Sequence, residues 1–200
     1  MLFRFVRFLV KCFMHFYFRL KIHNKENFPK EGAAIIAINH RSYWDVPLCA
    51  SIFPRQLFFM AKHDLFEKPV LGGIIKWAGA FPVNRGTADV GAIKMAMKVL
   101  KGGECMAMFP EGRRVKEGEP HEVKSGVAMI AEKTKAPVIP IAIKGKYGFF
   151  RKIEVFIGEP IYVKSEDGSK LSHDEIHEFS RQIMYGVLEM AGENVESLSC

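Results

Sequence analysis

What limits the fold most is an alternation of short apolar runs with helix-patterned segments from Phe28 onward. Residues 33–38 form a continuous apolar run of strand length, and residues 138–143 form another. A run without a polar face needs cover on both sides, as in a sheet packed between helices. Residues 57–61, 80–83, 105–109 and 153–157 read as further strands. Between them lie a short helix with Pro47 near its start that runs to about Phe53, a helix over 87–100 ended by Gly102-Gly103, a helix over 124–135, and a last helix from about His173 to Met190. The predicted class is α/β, a single mixed sheet covered by helices. With 200 residues the chain holds one such domain, expected over 23–200, plus an arm over 1–22.

The arm carries much of the charge. The chain has 29 Lys and Arg against 22 Asp and Glu, a net +7 that points to an anionic partner. Residues 1–30 hold seven Lys or Arg and one Glu, residues 31–160 hold 19 basic and 13 acidic side chains, and residues 161–200 hold three and eight. Within residues 1–20, six Phe and one Tyr are interrupted by Arg4, Arg7, Lys11, His15 and Arg19. At about 100° per residue these five cover roughly 120° of a helix surface, leaving Phe13, Phe16 and the other apolar residues around the rest. Such a helix suits a lipid interface, with basic groups on anionic headgroups. A helix packed on the domain with its Arg residues in solvent is the competing reading. A cleaved signal peptide fits poorly, because charge recurs throughout and no A-x-A follows. No run of about 18 uncharged apolar residues occurs, so a conventional membrane span is not expected.

Cys12, Cys49, Cys105 and Cys200 lie far apart without a C-x-x-C, which argues against zinc and a disulfide scaffold and fits a reducing location at the cytoplasmic face. No metal or cofactor is expected.

Three segments place reactive residues just beyond strand ends, where α/β sheets gather their functional groups. Asn39-His40-Arg41-Ser42-Tyr43-Trp44-Asp45 follows the first apolar run. A carboxylate five positions after a His across a strand-to-helix turn can fix the imidazole tautomer and leave the other nitrogen as base. Ser42-x-x-Asp45 is also a capping-box-like start for a helix from Tyr43, and the two readings are compatible. Phe109-Pro110-Glu111-Gly112-Arg113-Arg114 reads as a tight turn where backbone and guanidinium groups meet an anion, and Phe81-Pro82-Val83-Asn84-Arg85-Gly86 repeats the strand-then-Arg arrangement.

Together with Val138-Ile139-Pro140-Ile141, these blocks resemble in order and spacing the four sequence blocks of the glycerolipid acyltransferases, bacterial 1-acyl-sn-glycerol-3-phosphate acyltransferases most closely, over about residues 20–165. The resemblance implies that His40 is the base and Asp45 its orienting partner. It implies that Arg85, Glu111, Gly112 and Arg114 hold the acceptor's phosphate and glycerol, and that Pro140 shapes the acyl-donor side. Lys62 and Lys124 match basic residues that follow the first and third blocks in the family. Arg113 stands where the family usually has Thr, and Val115 where Ser often follows, which bears on the headgroup accepted. The implied reaction moves an acyl group from a thioester, acyl carrier protein (ACP) or acyl-CoA, to the 2-hydroxyl of lysophosphatidic acid at a membrane phospholipid surface. Other lysolipid acceptors, a His–Asp thioesterase, and a non-catalytic basic peripheral membrane or nucleic-acid-binding protein are the rivals. Nucleic acid is disfavoured because the basic residues outside the arm spread over several strand ends without a stripe of stacking aromatics.

Overall fold

The computed structural model describes residues 2–84, 89–116, 118–165, 167–195 and 198–199. Helix α1 (Leu2–Tyr17) leads through Phe18 into strand β1 (Arg19–His23), and β2 (Ala34–Ile38) follows. Then come α2 (Asp45–Ile52), β3 (Leu57–Lys62), α3 (Leu71–Trp77), β4 (Ala80–Val83), α4 (Val90–Lys101) and β5 (Cys105–Met108). The chain continues with β6 (His121–Glu122), α5 (Gly126–Thr134), β7 (Val138–Lys144), β8 (Lys152–Ile157), α6 (His173–Ala191) and β9 (Leu198–Ser199). Seven strands form one sheet in the order β1-β8-β7-β2-β5-β3-β4, and β6 pairs with β9 separately. Strands β7, β2, β5, β3 and β4 are mutually parallel, β8 runs antiparallel to β7, and β1 is parallel to β8. The sheet is therefore mixed.

β2 lies between β5 and β7, and all five of its residues are buried. Side-chain alternation sends Ala34, Ile36 and Ile38 into a cluster that Met14 and Phe18 share with Leu48 and Ile52 of α2. Ile35 and Ala37 face the other cluster, with Ala96 and Leu100 of α4, Val127 and Ile130 of α5 and Ile183 of α6. Each fully buried aliphatic side chain contributes about 1.5–3 kcal/mol over its exposed state, which accounts for an unbroken apolar run on a strand buried on both faces.

The arm departs from the expected boundaries. The helix stops at Tyr17, and residues 19–23 form the edge strand β1, so Arg19 sits on a strand rather than on the helix's basic face. Arg-Leu-Lys-Ile-His alternates as a half-covered edge strand should. Met14 and Phe18 anchor the helix end in the core, whereas Phe5, Phe8 and Phe16 are 59%, 60% and 75% exposed. Among the described residues no helix is long and apolar enough to cross a membrane.

Ile36→Ala should lower the unfolding free energy by about 2–5 kcal/mol in urea titrations, and Phe16→Ser should change it by less than about 0.5 kcal/mol. Equal losses would contradict this division between core and exposed arm.

Candidate active site

The parallel strands β2 and β5 carry two of the predicted blocks to the same end of the sheet, and β4 carries the other block in the same direction as far as Asn84. Beyond β2, His40 Nδ1–H donates to Asp45 Oδ2 at 2.9 Å. The ionised carboxylate can only accept, so the bond fixes the tautomer and leaves the lone pair on Nε2. Asp45 is fully buried. Its Oδ2 also accepts the amides of Arg41 (2.8 Å) and Ser42 (2.7 Å), and its Oδ1 accepts the Tyr147 hydroxyl at 2.7 Å. Burial and the Asp45 charge push the Tyr147 hydroxyl up, keeping it a donor. The bond from the Ser42 amide is one half of the expected capping box, and Ser42 Oγ accepts the Trp44 amide at 3.2 Å. Helix α2 itself begins at Asp45 rather than Tyr43. One carboxylate thus serves both helix start and histidine. Phe109 stacks on the imidazole with ring centroids 3.9 Å apart.

The second block grips the main chain of His40. Glu111 Oε2 accepts the His40 amide at 2.7 Å, and the His40 carbonyl accepts the Val115 amide at 2.8 Å. Gly112 makes the intervening turn with φ +66°, a left-handed conformation that favours glycine. Glu111 Oε1 accepts from His121 Nδ1 at 2.9 Å, and the opposite ring nitrogen of His121 lies 3.2 Å from Glu193 Oε2. The other Glu193 oxygen meets Arg41 at 3.2 Å and the Asn39 amide nitrogen at 3.4 Å. Asn39 also exchanges two hydrogen bonds with the backbone of Ile143, at 2.8 and 3.0 Å. Burial pushes the Glu111 carboxyl up, and bonds from His121 and the His40 amide pull it back.

Glu111 is only 1% exposed, and its two oxygens accept from the His40 amide and from His121, so it holds the main chain of His40 in place. Pro140 is buried within β7, where Gly158 donates to its carbonyl at 2.8 Å. Arg113 pairs with Glu119 at 2.8 Å, which neutralises the additional cation of this block. Lys124 pairs with Glu122 and Lys62, at the end of β3, with Asp64. The Arg114 guanidinium lies 3.5 Å over the Tyr43 ring, a contact that leaves N–H groups for an anion. Arg85 lies outside the described residues, as does the side chain of Arg4. Among the described residues no group of three or more His, Cys, Asp or Glu is arranged to hold a metal ion.

His121, Glu193, Asn39 and Tyr147 complete the site without a sequence signal strong enough to single them out. Gly192, with φ +69°, ends α6 and precedes Glu193. A glycine followed by an acid after a long helix is the available hint.

A protein-family model described as Acyltransferase matches residues 19–144. The chain is 38% identical over 149 residues to the 1-acyl-sn-glycerol-3-phosphate acyltransferase of Bacillus subtilis, covering 72% of this chain and 74% of that one. It is 31% identical over 169 residues to the enzyme of that name from Streptococcus pneumoniae, covering 80% of this chain and 62% of that one. Its structure is similar to the crystal structure of the 1-acyl-sn-glycerophosphate (LPA) acyltransferase PlsC from Thermotoga maritima, with a TM-score of 0.69, 27% identity, and 94% and 80% of the two chains covered.

Hydrogen bonds to Glu111 and then Glu193 raise the His121 pKa from 6.5 to about 9. A folded pKa above the unfolded one stabilises fully below about 6.5, and that contribution is lost as pH rises to about 9. The gap in urea midpoint between wild type and His121→Gln should therefore narrow between about pH 6 and about pH 9.5. A gap that widens over that range would remove the charged imidazole from the site's stability.

Proposed function

The chain belongs to the acyltransferase family, and from that membership we propose that it moves an acyl group from an ACP or CoA thioester to the sn-2 hydroxyl of 1-acyl-sn-glycerol-3-phosphate, giving phosphatidic acid for phospholipid synthesis. The observation that carries this reading is the His40–Asp45 pair, held by four donors on Asp45 and stacked on Phe109. The similar bacterial enzymes are named for that acceptor.

An alcohol is a weak nucleophile at neutral pH. His40 Nε2 takes the acceptor's hydroxyl proton as its oxygen attacks the thioester carbonyl, and the imidazolium is stabilised by Asp45. Collapse of the tetrahedral intermediate breaks the C–S bond, and His40 returns the proton to the departing thiolate. The products are the ester and the free thiol, and no acyl-enzyme is needed. Cys49, one helical turn into α2, is buried, and desolvation and then the Asp45 charge push its thiol up, so it is a poor nucleophile. Arg114, held over the Tyr43 ring, contributes to the acceptor's phosphate site, a role that the resemblance also gives to Arg85 and Lys62.

The acceptor is a lipid, and the arm brings the domain to it. Phe13 stacks on Tyr17 and Trp44, and Trp44 directly precedes Asp45, so the exposed aromatic surface of α1 runs up to the catalytic turn. A bilayer that takes up Phe13 and Phe16 delivers the lysolipid hydroxyl to His40 at the membrane's cytoplasmic face, with Arg7 and Lys11 near the headgroups. Pairing of Arg113 with Glu119 offsets the charge that distinguishes this block, in keeping with the same acceptor.

His40→Ala and Asp45→Asn should each lower kcat by about 10²–10⁴, with products followed by mass spectrometry using lysophosphatidic acid and both thioester classes. Appearance of free fatty acid in place of phosphatidic acid would make the protein a thioesterase. Arg114→Ala should raise KM for the acceptor about tenfold with kcat nearly unchanged, and an unaltered KM would remove Arg114 from the phosphate site.

A further inference from the structure

Away from the catalytic edge, a cleft of about 560 Å³ lies between α1, the segment joining β1 to β2, and the end of α2. That size is in the range that holds small ligands. Its walls are cationic. Arg7, Lys11 and His15, four residues apart on one face of α1, line one side, and Lys25 and Lys30 line the other. No Asp or Glu is among the lining residues, and Phe28, Ile52 and Phe53 give the cleft an apolar floor.

Among the described ion pairs, none joins Arg7, Lys11, Lys25 or Lys30 to a carboxylate. Arg7 Nη2 donates to the Pro54 carbonyl at 3.2 Å, which fixes the guanidinium at the rim with other N–H groups unspent. Like charges gathered around one cleft repel, and an anion entering it relieves that repulsion. The cleft is separate from the catalytic centre, because α2 runs from Asp45 to Ile52 at the cleft, about 12 Å of helix.

The neighbouring surface indicates which anion. Phe8 stands at the outer rim, and Phe5, Leu9 and Phe16 extend the exposed apolar face of α1 beyond it. A bilayer that buries those rings sets the cleft at the depth of the lipid phosphates. We propose that this cleft binds the phosphate of an anionic glycerophospholipid, with Arg7, Lys11, Lys25 and Lys30 around the phosphate and the apolar floor against the glycerol and first methylenes. It is a docking site distinct from the one that holds the reacting acceptor, and it rests on the membrane-facing reading of α1 given above.

Lys25 and Lys30 lie off α1, so the pair Lys25→Glu and Lys30→Glu alters the cleft and leaves the arm's apolar face intact. The test is co-sedimentation of the full chain with phosphatidylcholine vesicles, with and without phosphatidylglycerol. Wild type should bind both, and the anionic lipid should strengthen binding about tenfold or more. The double variant should lose that increment, keep its binding to pure phosphatidylcholine, and keep wild-type turnover of a short-chain, water-soluble acceptor. Lys94→Glu with Lys98→Glu, the same charge change on α4 across the sheet, should keep the increment. Equal losses in the two pairs would reduce the effect to diffuse charge, and an intact increment in the cleft variant would also overturn the proposal. Loss of the increment on adding inorganic phosphate at constant ionic strength would make a free anion the ligand. Absence of binding to either vesicle would instead overturn the membrane reading of α1, and the lipid assignment of the cleft with it.

Discussion

One buried carboxylate organises the catalytic end of this domain. An isolated ionised carboxylate inside a protein costs many kcal/mol, a cost that falls only when donors surround it. Asp45 meets that requirement with the His40 ring, two consecutive amides of the turn and the Tyr147 hydroxyl. Those donors come from the end of β2, the turn before α2 and the segment after β7. Satisfying one charge therefore fixes the relative placement of three stretches of chain. The same bonds that make the buried charge tolerable aim the imidazole.

Behind the histidine lies a second polar cluster built on balance. Glu111 and Glu193 alternate with His121 and Arg41, so two negative groups meet two positive ones, and Asn39 ties the cluster to β7. Buried networks of this kind contribute to stability only when every member is satisfied, and their larger effect is to specify one geometry. No buried side-chain nitrogen or oxygen among the described residues lacks a partner. The amide and carbonyl of His40 are both held by the 109–115 loop, so this histidine is fixed through its backbone as well as its ring.

The central strands were legible because burial on both faces leaves an unbroken apolar run, as in residues 33–38 and 138–143. His40 and Asp45 were legible because the reaction partners are close in sequence and follow a strand end. β1 escaped because it is a short edge strand placed directly after an aromatic helix that dominates the local pattern. β6 and β9 are two residues each, too short to show a period, and α3 contains Gly72-Gly73, which reads as a turn. Glu111 stands out in its block, but sequence order does not reveal that its oxygens point to His40 and His121. His121 and Glu193 meet only through tertiary packing. Their types are right for an ion pair, and nothing local to either of them announces it.

The strand order also has a consequence for how the protein comes into being. β2 emerges early in synthesis, yet its sheet neighbours are β5 and β7, and Glu193 lies beyond the last long helix. An early-synthesised apolar strand therefore waits, with its hydrogen-bonding edges open, until most of the chain has left the ribosome. Non-local pairing of this kind slows folding and exposes aggregation-prone surface in the interval. α1 precedes every strand of the sheet in the chain, so its helical hydrogen bonds, all local, can close before β2 finds either of its neighbours.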